Sequence, residues 1–165
     1  MDEASPPPAE ANDANFDAHY RPTQIIVISA MILVAAILIV SLIKPDFFSG
    51  TASPDPTLAI ALRISIAMFA IGIIVFRRVR LQPARLRDIH GISGMNGLFG
   101  SLKATTVILA AMCEAIAIMG FGLGYYAGDL LSVRFACALA LTLLAFYAYP
   151  RRQVWQRIVG YVQQT

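Results

Sequence analysis

The stretch "ILAAMCEAIAIMGFGLGYYAG", residues 108–128, is apolar from end to end except for one carboxylate, Glu114, near its middle. A run of about 20 apolar residues crosses the roughly 30 Å of bilayer hydrocarbon at about 1.5 Å per residue, and a helix apolar on every face leaves no side for water. This stretch therefore reads as a transmembrane helix, extended backwards to cover 103–127. Three further runs, 24–43, 57–76 and 130–149, have the same character. The breaks between them are chemical: "KPDFFSGTASPDP" (44–56) parts the first from the second, Pro150 closes the fourth, and "AGDLLSVR" (127–134) makes so short a turn that the last two spans are antiparallel neighbours. The composition agrees, being 58% hydrophobic with a mean hydropathy of +0.66 and only 14% charged, against about a quarter in soluble domains.

The expected fold class is thus an all-α membrane protein, a bundle of four transmembrane helices over residues 23–149. It is flanked by an acidic, proline-rich, disordered tail over 1–22 and a basic interfacial tail over 150–165. The N-terminal tail lacks the basic start of a secretory signal, so the first span reads as an uncleaved anchor. Lys and Arg in short loops are retained on the cytoplasmic side. The loop 77–103 carries Arg77, Arg78, Arg80, Arg85, Arg87 and Lys103, and the C-terminal tail adds Arg151, Arg152 and Arg157, while the other two loops offer only Lys44 and Arg134. Both termini are expected in the cytoplasm, most simply of a bacterium, with the protein in its inner membrane.

The net charge of +3 raises the question of nucleic acid. Its placement beside apolar spans points instead to anionic lipid headgroups, so membrane lipids are the expected partners and nucleic acid is not. Trp155, Tyr147, Tyr149 and Tyr161 read as an interfacial belt, with the C-terminal segment lying along the membrane surface. Gly91, Gly94, Gly97 and Gly100 recur every third residue in the basic loop, without the proline of collagen or the strand that precedes a phosphate loop, and read as a flexible connector. Cys113 and Cys137 lie inside spans, in no metal or redox spacing, and read as small buried hydrophobes.

Glu114, about eleven residues into its span, is the strongest chemical signal. An ionised side chain at the bilayer centre costs roughly 2.5–3.5 kcal/mol on insertion scales, and in hydrocarbon the neutral acid is the cheaper form. It serves either as a proton or sodium site or as a neutral hydrogen-bonding anchor, for instance to Ser65 or Thr142. Gly120, Gly124 and Gly128 follow at every fourth residue and form a helix-packing stripe, facing either the bundle or an oligomeric seam. Arg63, in the second span, either snorkels to the interface or reaches Glu114 as a charge partner across about 10 Å of axial rise. His19 and His90 lie outside the spans, and no catalytic set or phosphate loop is visible, so no enzyme activity, metal or cofactor is expected.

The setting of Glu114, with Ala110, Ala111, Ala115, Ala117, Ile118 and Gly120, resembles the carboxylate helix of the proteolipid, or c, subunits of rotary ATP synthases, and "RLQPARLRD" is similar to that family's cytoplasmic Arg-Gln-Pro turn. The likeness covers residues 57–128. It implies a membrane hairpin whose acid binds the transported H⁺ or Na⁺. The second span departs from the pattern, with Gly72 as its one glycine and Arg63 inserted. Two functions follow as expectations: ion handling through Glu114 in a homo-oligomer, or a non-catalytic accessory subunit of a larger membrane complex.

Overall fold

The computed structural model describes residues 8–49 and 55–163. Every element among them is helical. α1 runs Pro8–Ile43, a 3₁₀ turn follows at Pro45–Phe48, and α2 runs Pro56–Arg80. α3 is Pro83–Ala127 and α4 is Leu130–Leu143, prolonged by a π-helical turn at Leu144–Ala148, before the short α5 at Arg152–Gln163. Four of these helices are long and apolar enough to cross a membrane. α3 stands in contact with α1, α2 and α4.

The helix starts and stops follow local chemistry. Pro56 stands at the first turn of α2, where its missing N–H costs nothing, and the Asp55 carboxylate accepts from the Thr57 backbone N–H at 2.8 Å. Gly128 ends α3 in the left-handed conformation at φ +65°, its N–H returning to the Gly124 carbonyl. At the end of α4, Pro150 holds Tyr149 extended (φ −62°, ψ 119°), and the Tyr149 N–H closes a five-residue turn onto the Leu144 carbonyl at 2.7 Å.

The main core fills the bundle with Val27, Val34, Ile73, Ile116, Cys137 and their neighbours. A second, separate cluster lies at the basic end, made of Phe16, Leu86, Leu98, Phe99, Leu102 and Trp155. This cluster corrects three expectations. The segment 83–102 is not a flexible connector: it is the first half of α3, interrupted only at Gly94 (φ +63°, ψ −163°), a conformation that favours glycine. The four glycines weaken helix propensity by about 0.5–1 kcal/mol each, but Leu98, Phe99 and Leu102 fall on one helical face and are buried. The acidic tail is likewise helical from Pro8, because Phe16 (5% exposed) and Tyr20 dock on this cluster; residues 1–7 lie outside the described ones.

Trp155, finally, does not belong to a lipid-facing belt. It is 4% exposed and meets the rings of Phe16 and Tyr20 edge-on, with centroids 6.1 and 5.7 Å away. Residues of α5 face the protein as well as the surface: Arg87 donates to the Tyr161 hydroxyl at 2.6 Å and stacks over its ring. Polar ties bind the end of α4 to its neighbours, from the Tyr20 hydroxyl to the Pro150 carbonyl (2.9 Å), Gln24 to the Tyr149 hydroxyl (2.9 Å) and Arg77 to the Phe146 carbonyl (2.7 Å). The last satisfies a backbone acceptor in the π turn, where the regular helical ladder has stopped.

Candidate functional site

Glu114 sits on the part of α3 that runs unbroken from 95 to 127, one residue past the buried Cys113 and three before the buried Ala117. Its side chain lies at the boundary between the face buried in the bundle and the exposed stripe of Ile108, Ala111 and Ile118, and it is itself partly exposed. Neither expected partner reaches it. The Thr142 hydroxyl turns back to the Ala138 carbonyl of its own helix at 2.8 Å, and no hydrogen bond joins Ser65 to Glu114. Among the described residues, Glu114 has no hydrogen bond and no ion pair.

Arg63 is engaged elsewhere. Its guanidinium donates to Asp129 at 2.6 Å, in the turn between α3 and α4. The sequence reading of Arg63 as a partner for Glu114 is therefore replaced by a pair at the end of the bundle opposite the arginine-rich turn. The physical reason is depth. Arg63 begins the third turn of α2, from which its guanidinium reaches the α3–α4 turn, whereas Glu114 lies about 20 Å of helical rise before the end of α3. Asp129 serves two further roles there, accepting from the Ser132 hydroxyl at 2.5 Å and the Ser132 N–H at 3.1 Å, which caps α4. Nearby, Arg134 donates to the Ser41 carbonyl at 3.2 Å, neutralising one of the open acceptors at the end of α1. Sequence reasoning missed Asp129. The signal was present, since an aspartate just after the Gly128 stop and before an apolar run is a preferred N-cap.

This cluster has a consequence for pH. Burial alone, the largest single influence, raises the Asp129 carboxyl. The hydrogen bonds from Ser132 and Arg63, with the Arg63 charge, outweigh it and hold the group below the usual carboxylate range. A depressed value in the folded state means that the stabilisation is full above the ordinary value of 3.8 and is lost as pH falls through the lower folded value. Asp129→Asn should therefore lower the melting temperature of the detergent-solubilised protein at neutral pH, by the equivalent of about 1 kcal/mol for the weakened cap. The gap between variant and wild type should stay constant on acidification to the ordinary carboxylate value and close below it. A gap that widens in acid would contradict the arrangement.

Of the glycine stripe, two members have clear packing roles inside the chain. A Cβ on Gly120 would stand 2.3 Å from the Ala136 Cβ of α4, and one on Gly124 would stand 2.2 Å from Val133 and 2.6 Å from Phe48. They bring α3 and α4 together, and Gly128 is the α3 cap. Of the two faces considered from sequence, Gly120 and Gly124 take the one inside the bundle. Cys113 and Cys137 are free and fully buried, as small hydrophobes would be. Among the described residues no group of histidine, cysteine or acidic side chains is gathered in a way that would hold a metal.

No protein-family profile, curated protein sequence or solved structure matches this chain.

Proposed function

We propose that this protein is a non-catalytic subunit of a larger assembly in the bacterial inner membrane, with both termini in the cytoplasm, in which neutral Glu114 anchors a helix of a heterologous partner by a hydrogen bond. The observation that supports this reading is the isolation of Glu114. It lies deep within a span and partly exposed, and among the described residues it has no hydrogen bond and no ion pair. A polar group in hydrocarbon is stabilised by about 1–2 kcal/mol when it finds an interhelical partner. The glycine stripe is already used by α4, which favours a foreign helix over a self-assembled ring.

A second reading, that Glu114 binds a transported ion in an oligomer, draws on its proteolipid-like setting.

The two separate on Glu114→Gln and Glu114→Leu, each extracted gently from native membranes and examined by native mass spectrometry with carbodiimide labelling. An anchor survives in Gln, which keeps a donor and an acceptor, and weakens in Leu by about tenfold in partner occupancy. A proton site fails in both variants, and its wild type is labelled by the carbodiimide as a homo-oligomer. A wild-type protein that migrates alone, unlabelled and without foreign subunits, would overturn the anchor.

A further inference from the structure

α2 and α4 touch sparingly, and the face of α2 between them opens into two apolar hollows. One, of about 490 Å³, is walled by Ile66, Ala67, Ala70, Phe135 and Leu139, and ends at Arg63. The other, of about 420 Å³, is lined by Ile74, Leu81 and Tyr147 and rimmed by Arg77 and Arg78. Residues 63, 67, 70, 74, 77 and 81 recur at helical spacing, so both hollows lie along one side of α2.

The charge at the two ends differs. Arg63 is matched by Asp129 at 2.6 Å. Arg77, Arg78 and Arg80 in the last turn of α2 have no carboxylate within ion-pair distance among the described residues. Arg77 is spent on the Phe146 carbonyl and the Tyr147 ring, whereas Arg78 is exposed and has no hydrogen bond among the described residues.

We propose that this groove holds an anionic phospholipid of the leaflet on the arginine-rich side, its headgroup phosphate on Arg78 beside Arg77 and one acyl chain laid along α2 past Ile74 to Ala67. Length agrees. From Arg78 to Ala67 the helix rises about 16 Å at 1.5 Å per residue, which is half of the roughly 30 Å hydrocarbon thickness and so one leaflet. The charge pattern chooses both the lipid and the leaflet. A phosphate supplies the anion that the arginines lack, while the Arg63 end is already neutral. A protein helix in the same groove would need its own acid at that depth.

The test is native mass spectrometry of the full-length protein released from vesicles of phosphatidylcholine doped with phosphatidylglycerol. Wild type should retain phosphatidylglycerol in preference to phosphatidylcholine. Arg78→Gln, which removes one interfacial cation, should lower that retention about fivefold. Ala67→Trp, at an exposed position where the new ring fills the groove without entering the core, should lower retention of both lipids while the melting temperature is kept. Retention that does not distinguish the two lipids, or that neither variant changes, overturns the proposal. So does a photo-crosslinker at position 67 that captures a protein chain, whether a second copy or another subunit, instead of lipid.

Discussion

Gly124→Leu is expected to unfold the α3–α4 pair at a temperature well below wild type. Even the first added carbon would lie 2.2 Å from the Val133 Cγ2 and 2.6 Å from the Phe48 Cδ1. Neither neighbour has room to retreat. Val133 is fully buried and β-branched, with its rotamer set by the helix, and Phe48 is 1% exposed and wedged edge-on against Phe121 at 5.5 Å. Overpacking of this kind costs about 1–3 kcal/mol for extra methylenes, and a whole isobutyl group at a backbone-close contact belongs at or above the top of that range. Gly122 is the control. A Cβ there meets only the Leu62 Cδ1 at 3.9 Å, an ordinary contact, so Gly122→Ala should stabilise through helix propensity by up to about 1 kcal/mol. Thermal unfolding in detergent reads both, and equal shifts for Gly122→Ala and Gly124→Ala would contradict the packing.

Trp155→Ala should release α5 while leaving the four-helix core in place. The indole is buried among Phe16, Tyr20 and Phe99, and loss of a buried tryptophan costs about 3–5 kcal/mol. None of those residues belongs to the main core. Amide exchange should therefore quicken through Arg152–Gln163 and around Phe16, and stay slow around Cys113 and Ala136. The two sites for Trp155 make opposite predictions. A tryptophan floating at a lipid interface would leave α5 exchange unchanged on truncation, and that result would restore the aromatic-belt reading.

How much was legible follows from the kind of signal each feature carries. Runs of apolar residues at 24–43, 57–76, 103–127 and 130–149 are local properties; the first three each fall within one helix, and the fourth is covered by α4 and its π turn as far as Ala148. The extensions beyond those runs were not legible. Phe16, Phe99 and Trp155 are far apart in the chain and lie among acidic, glycine-rich or basic residues, and only their mutual burial makes a second core. Local composition reports what each segment can bury alone, and these segments bury together. In the candidate site, Glu114 could be singled out by its cost in hydrocarbon, but the partner of Arg63 could not, because pairing depends on which helix ends share a depth. Asp129 was readable as a cap and unreadable as an ion-pair partner.

By itself the sequence determined the helical class, the number of apolar spans, the antiparallel turn between the last two and the segregation of arginine to one end, since hydropathy and charge act residue by residue. Only the tertiary structure decided that Gly120 and Gly124 pack inward on α4, that Arg63 belongs to Asp129, that Glu114 has no hydrogen bond or ion pair among the described residues, and that the arginines of α2 stand at the mouth of an apolar groove. Those outcomes depend on the rotation and depth of each helix against its neighbours. Close packing at small residues and hydrogen bonds between helices set these, and neither is written in the order of residues along one strand of chain.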